Sequence, residues 1–273
     1  ATKLLQSIYR EPTKDNLIEK RIGEIKEAGV PAVVSCIPQN AIKFGDIAAN
    51  AGVDVFVVQS QVSTVRHYST RYETLDFEKF CKKMKVPVLV GNTVTYNASY
   101  ELMQTGISAI LIVLGIGVPQ VTATADCAAA RDFWYKQSGK YVPVITDGGM
   151  TNGGDICKAI ASGADAVMIG SAFARAKEAP GKGYHWGMAT SHENLPRGTR
   201  IKVGVTGTLE QILFGPAELD DGSQNLIGAL KTSMGALGAS NIKKMQLARI
   251  IIAPSIQTEG KVFQTVQRVG MGK

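Results

Sequence analysis

Cysteine is scarce in this sequence, and no two cysteines form a CxxC pair. The four cysteines are Cys36, Cys81, Cys127 and Cys157. Their wide spacing indicates neither a zinc site nor a disulfide framework, and it fits a reducing compartment. Histidine is also scarce, and neither His67 nor His185 has a second histidine or an acidic residue at metal-ligand spacing. We therefore predict no metal site among these residues.

Long apolar runs and a secretory signal pattern are absent as well. No stretch approaches the roughly 20 consecutive apolar residues that a membrane span needs, and the first residues show no signal-peptide pattern. The expectation is a cytoplasmic protein without a membrane partner. A net charge of +7 suits attraction to phosphorylated substrates. Because the basic residues are scattered, solvated surface explains most of them, and we predict no nucleic-acid partner.

The sequence does contain a regular alternation of strand-like and helix-like segments. The strand-like runs are residues 32–36, 55–59, 86–90, 109–112, 141–146 and 166–169. The helix-like segments between them are residues 14–28, 40–51, 76–83, 97–105, 122–137 and 153–162, and several end at a glycine that stops the helix: Gly29, Gly52, Gly106 and Gly163. A short strand at 200–204 and helices at 225–237 and 241–246 follow. This alternation is typical of a parallel α/β fold, and no linker divides the chain.

Two of these strands end in glycines that together predict a phosphate site. One is followed by Asp147-Gly148-Gly149 and the next by Gly170-Ser171. Ligands of parallel α/β proteins bind at the carboxyl ends of the strands, where glycine lets backbone N–H groups approach a phosphate. A carboxylate there suits a sugar diol better than a phosphate, so the pair indicates a nucleoside monophosphate. Each turn alone is also found in ordinary strand-to-helix connections.

Five longer motifs, in a fixed order, resemble one enzyme family. They are residues 113–126 (VLGIGVPQVTATAD), 145–150 (ITDGGM), 163–171 (GADAVMIGS), 178–181 (EAPG) and 185–188 (HWGM). They resemble the IMP dehydrogenase and GMP reductase family, especially the IMP dehydrogenase-related branch that lacks the regulatory CBS pair. The resemblance covers essentially the whole chain. It implies a (β/α)8 TIM barrel, one catalytic domain over residues 1–273 with no CBS domain, and a homotetramer.

The resemblance also implies roles for individual residues. The implied IMP contacts are Asp147 for the ribose diol, Gly148, Gly149, Gly170 and Ser171 for the phosphate, and Gly187 and Met188 for the purine. The cofactor NAD would contact Asn92 and Ser60. A monovalent cation such as K⁺ would bind in the catalytic loop of the family.

The sequence departs from the family pattern chiefly by omission. Family members carry two further βα units, together about 100 residues, before the segment that matches the start of this chain. They also carry a glycine-rich loop with the nucleophilic cysteine after the strand that ends here at Ile112, whereas here Ile112 runs directly into Val113. The loop is needed because a thiolate attacks C2 of the purine before hydride leaves to NAD⁺.

No other cysteine replaces the missing nucleophile, because Cys36 is predicted within a strand and the other three on helices. We expect the loop in the full protein, since a strand joined to a helix without it leaves no room for the turn of a barrel. The alternative is a true deletion, which would leave a nucleotide-binding subunit without turnover. A further departure is Gln59, where family dehydrogenases commonly have an aspartate that binds a cofactor ribose.

Three assignments also have an ordinary structural alternative. Arg197, or less favourably Arg200, falls where the family has a flap whose arginine is the base for hydrolysis; a basic surface loop would look the same. His185 would stack on the base or cap a helix. Glu259-Gly260 resembles the C-terminal segment that completes a neighbour's cation site, but an ordinary loop is favoured.

The leading hypothesis is an IMP dehydrogenase, which converts IMP, NAD⁺ and water to XMP and NADH in guanine nucleotide synthesis. GMP reductase is the alternative enzyme; it uses NADPH and needs no hydrolytic base. A nucleotide-binding subunit without catalysis is the alternative of a different class.

Overall fold

A computed structural model describes residue 7 and residues 13–113, 117–186 and 200–251. Within these ranges six strands form one parallel sheet, in the order in which they follow along the chain. The strands are β1 Val33–Cys36, β2 Val55–Gln59, β3 Val88–Gly91, β4 Ala109–Ile112, β5 Val144–Asp147 and β6 Ala166–Met168. All five neighbouring pairs are parallel, so the carboxyl ends of the six strands lie along one edge of the sheet.

Helices precede the first strand and connect each strand to the next. They are α1 Asp15–Glu27, α2 Ala41–Asn50, α3 Phe77–Lys83, α4 Tyr96–Gln104, α5 Gln120–Ser138 and α6 Gly153–Ala161, with a 3-10 turn at Pro38–Asn40. Each predicted strand and helix of this region is confirmed, with bounds that differ by a few residues. The predicted glycine stops are confirmed too, with positive φ at Gly29 (74°), Gly52 (80°), Gly106 (90°) and Gly163 (108°).

The segment after β6 contains shorter elements. They are α7 Ser171–Ala174, β7 Tyr184–Trp186, β8 Arg200–Lys202, α8 Leu209–Phe214, α9 Leu226–Ala236 and α10 Ile242–Met245. β7 and β8 pair antiparallel as a separate two-stranded sheet. The strand near residue 200 and the last two helices were predicted, whereas α7, β7 and α8 were not. The α8 signal was present, because Thr208 and Gln211 form a capping box.

The centre of the sheet is fully buried and its two outer strands are not. Every residue of β4 is buried, and Ile110, Leu111 and Ile112 have no exposed surface. In the outer strands, by contrast, Val33 is 52% exposed and Met168 is 37% exposed. Burial on both faces explains why the central strands read as continuous apolar runs. The parallel order and the flanking helices confirm the barrel-type α/β class, with six strands in the parallel sheet of the described residues.

Close packing between strands also decides where β3 ends. A side chain on Gly91 would collide with Cβ and the carbonyl oxygen of Leu111 in β4, so this position requires glycine. The chain continues from there into Asn92 at the carboxyl edge. No helix in the described ranges is both long and apolar enough to cross a membrane.

Candidate active site at the carboxyl edge of the sheet

The two predicted glycine turns lie side by side. β5 and β6 are paired in parallel, with Asp147 opposite Met168, and neighbouring strands are about 4.8 Å apart. Asp147, Gly148 and Gly149 end or follow β5, while Gly170 and Ser171 follow β6. The structure therefore brings five of the predicted substrate residues to one place on the carboxyl edge.

Asp147 offers a carboxylate that is suited to accepting hydrogen bonds. Its side chain is half-buried at the strand end. Burial raises its pKa, and a hydrogen bond from the backbone N–H of Gly148 lowers it less. Within the described residues, the donor to this carboxylate is the Gly148 N–H. Two hydroxyls of a ribose could both donate to it.

The backbone around Asp147 turns sharply and then enters a helix. Gly148 and Gly149 have φ of 104° and 72°, values that glycine adopts without strain. The side chain of Asn152 then accepts from the N–H of Asp155 and caps α6. On the neighbouring strand, a Cβ on Gly170 would meet no atom of the described residues within 4 Å, its chain neighbours aside. Among the described residues, nothing fills the space beside Gly170.

His185 makes a side-chain contact that the sequence did not predict. It lies in β7 and does not cap a helix, and its Nε2 is 3.0 Å from the hydroxyl oxygen of Ser171. That interaction is formed across 14 residues of sequence, so no local motif reveals it. The bond fixes the Ser171 side chain at the proposed phosphate contact.

The predicted cofactor residues lie on the other half of the edge, at the ends of β2 and β3. Ser60 and Asn92 are joined through their backbones, since the N–H of Asn92 donates to the carbonyl of Ser60 at 3.2 Å. Ser63 Oγ donates to the carbonyl of Gly91 at 2.6 Å. The buried Gln59 amide donates to Asn92 Oδ1 at 3.0 Å. The Gln59 side chain therefore hydrogen-bonds Asn92, and it offers an amide where a carboxylate was expected from the family resemblance.

A cavity that the sequence did not reveal lies beside Ser60. Its accessible volume is about 40 Å³, and it lies between the ends of β1 and β2. Among its lining residues are Ser63, His67, Tyr72 and Glu73. The residues come from a polar loop without a recognisable motif, which is why sequence patterns give no signal here. In the order of the sheet, the cavity at β1 and β2 lies three to four strand positions from Asp147 on β5.

Gln120 links the ends of two strands at the position where the family resemblance implies a catalytic loop. β4 ends at Ile112 and α5 begins at Gln120. Gln120 Nε2 donates to the carbonyls of Ile112 and Asp147, at 3.3 and 2.8 Å. Two buried oxygen atoms nearby, Gln120 Oε1 and Thr93 Oγ1, have no hydrogen-bond partner among the described residues.

No cysteine lies at this junction in the described part of the chain. Cys36 ends β1, and Cys81, Cys127 and Cys157 lie on α3, α5 and α6, as predicted. Burial raises the pKa of the Cys36 and Cys127 thiols to about 12 and that of Cys81 to about 11. Thiols with such pKa values are protonated at neutral pH and do not act as nucleophiles.

Several predicted residues lie outside the described residues: Gly187, Met188, Arg197, Glu259 and Gly260. Arg200 is described, and its guanidinium stacks over the Tyr184 ring at 3.8 Å. This cation–π contact joins Arg200 of β8 to Tyr184 of β7.

Comparison with known proteins places this geometry in a family. Residues 23–262 match the IMP dehydrogenase / GMP reductase domain. The chain belongs to the IMP dehydrogenase / GMP reductase family. An uncharacterized oxidoreductase of Mycolicibacterium smegmatis is 36% identical over 262 residues, which cover 90% of this chain and 70% of the relative. These matches place the chain among the oxidoreductases of the family.

The chain is also similar to a solved structure and to a relative named as an IMP dehydrogenase. The crystal structure of an IMP dehydrogenase/GMP reductase-like protein from Corynebacterium glutamicum superposes with a TM-score of 0.81 and 34% identity. The superposition covers 91% of this chain and 68% of that one. The inosine-5'-monophosphate dehydrogenase of Cryptosporidium parvum is 31% identical over 246 residues, 78% of this chain and 58% of the relative.

Proposed function

We propose that this protein binds IMP at the carboxyl ends of β5 and β6. The observation that carries the proposal is the half-buried Asp147 carboxylate beside two positive-φ glycines, opposite the open Gly170-Ser171 turn. The carboxylate would accept from both ribose hydroxyls, and the glycine turns would admit the phosphate to backbone N–H groups. Gly187 and Met188 would contact the purine.

The proposed reaction is that of an IMP dehydrogenase, in which IMP, NAD⁺ and water give XMP, NADH and a proton. Hydride leaves C2 of the purine, and the oxygen of water replaces it. Family membership and the relatives named IMP dehydrogenase support this reaction class. The covalent step requires a thiolate at the end of β4, and the described residues hold none there. The enzyme therefore needs the cysteine loop from residues beyond this sequence, with Arg197 as the base for hydrolysis.

The residues at the ends of β2 and β3 fit a nicotinamide. A carboxamide both donates and accepts hydrogen bonds, and the buried Thr93 hydroxyl has no partner among the described residues. Ser60, Asn92 and Thr93 would hold that end of NAD, whose chemistry is to accept the hydride. Gln59 hydrogen-bonds Asn92 and carries no carboxylate. Glu73, which lines the adjacent cavity, would supply the carboxylate for the cofactor ribose.

A second candidate is a nucleotide-binding subunit without turnover. One observation favours it. In this sequence only seven residues, 113–119, separate β4 from α5. Gln120, which follows them, donates hydrogen bonds to the carbonyls at the ends of β4 and β5. Such a subunit would retain the Asp147 site and lack the reaction.

Intact mass and NADH formation together separate these candidates. The 273 residues have a mass of 29.1 kDa; protein from the native source with a larger mass, IMP binding by calorimetry and NADH absorbance would support the dehydrogenase. A mass of 29.1 kDa with IMP binding and no NADH would support the subunit. In an active enzyme, Arg197→Ala should leave a first burst of NADH and slow the later turnover, because hydrolysis follows hydride transfer. Absence of IMP binding would reject both candidates.

A further inference from the structure

Gln120 connects the helix after β4 to the backbone of the candidate nucleotide site. It is the first residue of α5, and its Nε2 bridges the carbonyl oxygens of Ile112 and Asp147. The last backbone pair between β4 and β5 joins Ile112 to Thr146, so Asp147 lies one residue beyond the paired part of β5. The Gln120 amide thus extends the connection between the two strands beyond their last backbone pair.

The orientation of this amide is decided by its two donations. Gln120 Oε1 is buried without a donor among the described residues, and a buried acceptor without a partner destabilises a fold. Flipping the amide would place that oxygen against two carbonyl oxygens and leave no donor for them. The side-chain amide is therefore fixed with its N–H groups towards the carbonyls of Ile112 and Asp147.

A second contact fixes the same helix face to β5. One helical turn after Gln120, the hydroxyls of Thr124 and Thr146 are 3.0 Å apart, and both residues are fully buried. Residues four apart lie on one face of a helix. Two successive residues of β5, Thr146 and Asp147, are thus bonded to successive turns of α5.

The chain after Asp147 has little rigidity of its own. Gly148 and Gly149 follow it, both in the left-handed region, and glycine has the greatest backbone freedom of any residue. A carboxylate that must meet two hydroxyls requires a fixed backbone, and the hydrogen bond to the Asp147 carbonyl supplies that constraint from one side.

We propose that Gln120 is a positioning residue: it holds the Asp147 carbonyl so that the carboxylate and the two glycines face the nucleotide. The inference rests on the proposed IMP site and adds a residue that touches no ligand. Gln120 acts only through Asp147, so its contribution to binding disappears when the Asp147 carboxylate is removed.

A double-mutant cycle tests this dependence. Gln120→Met keeps the side-chain length and removes both donations, and it should weaken IMP about tenfold in calorimetry, equivalent to one good hydrogen bond. In the Asp147→Ala background the same change should weaken IMP by no more than about twofold. Equal losses in both backgrounds, or no loss in the wild type, would overturn the proposal. Gln120→Leu takes the place of Gln120→Met if the latter does not fold, because it also removes both donations and places no oxygen against the two carbonyls.

The neighbouring threonine pair provides the matched control. Thr124→Val with Thr146→Val removes a contact of the same kind one turn away and leaves no unpaired group, so IMP affinity should stay within about twofold. A loss equal to that of Gln120→Met would attribute the effect to general weakening of the α5–β5 contact and overturn the specific role of Gln120.

A measurement without ligand separates this inference from the proposed function. Amide hydrogen exchange of residues 147–149 should be faster in Gln120→Met than in the wild type, and unchanged in the threonine control. If the wild type binds no IMP, the proposed function fails, and this exchange result alone decides whether Gln120 positions the turn. Unchanged exchange would reject it.

Discussion

The Gln59 amide donates to Asn92 Oδ1 at 3.0 Å across the ends of β2 and β3, and both side chains are buried. This pair occupies the position where the family resemblance implied a carboxylate for a cofactor ribose. The proposed cofactor contact at this position would therefore depend on a hydrogen bond between two neutral side chains. Such a bond does not change with pH, unlike a carboxylate contact.

Breaking this pair from one side should destabilise the fold more than removing both partners. Asn92→Leu leaves the buried Gln59 amide without an acceptor, and we expect a loss of about 1–3 kcal/mol in the free energy of unfolding. The double variant Gln59→Leu/Asn92→Leu should lose less than the sum of the single changes. Urea unfolding measures all three. Strictly additive losses would show that the two amides act independently.

Removing the Asp147 carboxylate should weaken IMP by at least about tenfold, since two charge-assisted hydrogen bonds are lost. Asp147→Asn is the matched variant, because it keeps the shape and removes the charge. Titration calorimetry measures both. Unchanged affinity in Asp147→Ala would reject the assignment of Asp147 to the ribose.

The same carboxylate predicts how IMP affinity changes with pH. Burial raises the pKa of Asp147, and only the ionised form accepts from two hydroxyls, so affinity should fall on acidification through this raised pKa. The effect on stability has the opposite sign. Because the pKa is higher in the folded state, stability without ligand falls as pH rises from the unfolded pKa through the folded one. Asp147→Asn should abolish both dependences, and persistence of either would point to another group.

Gly170→Val should abolish nucleotide binding and leave the fold intact. A Cβ there meets no atom of the described residues within 4 Å, its chain neighbours aside, so the Val side chain would fill the space through which a phosphate is proposed to reach the backbone. Gly235→Val is the control, since Gly235 on α9 also has open space around it. The expected result is a wild-type circular dichroism spectrum for both variants, with binding lost only in the first. Retained binding in Gly170→Val would place the phosphate elsewhere.

Asp165, at the amino end of β6, should be a major determinant of stability. It accepts from Arg131, Tyr141 and the N–H of Val144, at 2.7, 2.7 and 2.9 Å, and it pairs with Lys243. The Arg131 side chain is only 4% exposed. Asp165→Asn leaves that buried cation less compensated and should cost about 3 kcal/mol in the free energy of unfolding.

Asp132 offers the control for Asp165. It also bonds Arg131, but its side chain is 58% exposed, so Asp132→Asn should cost less than about 1 kcal/mol. Acid unfolding gives a second measurement. Burial alone would raise the pKa of Asp165, but the hydrogen bonds of Lys243, Val144, Tyr141 and Gln246 outweigh it and lower the pKa. The stabilisation is therefore present above the unfolded pKa and is lost as pH falls through the folded pKa. Equal losses in the two variants would contradict this assignment.

The sequence was informative wherever local chemistry decides the structure. Apolar runs predicted all six strands, and the turn glycines predicted where helices stop and where Asp147 lies. Longer-range contacts gave no such signal. The Ser171–His185 bond depends on β7, which the sequence pattern did not reveal, and the role of Gln120 depends on two carbonyls that any residue type could supply. Gln59 was recognised as a departure, but its bond to Asn92 required the structure.

The position of the Asp165 network, at the edge of the sheet opposite to Asp147, has a consequence for genetics. Variants at the amino edge should lower the amount of folded protein in cells without changing the behaviour of the molecules that remain. Variants at the carboxyl edge should do the reverse. A saturation library scored separately for abundance and for nucleotide capture would therefore divide into two sets of positions, one at each end of the same six strands.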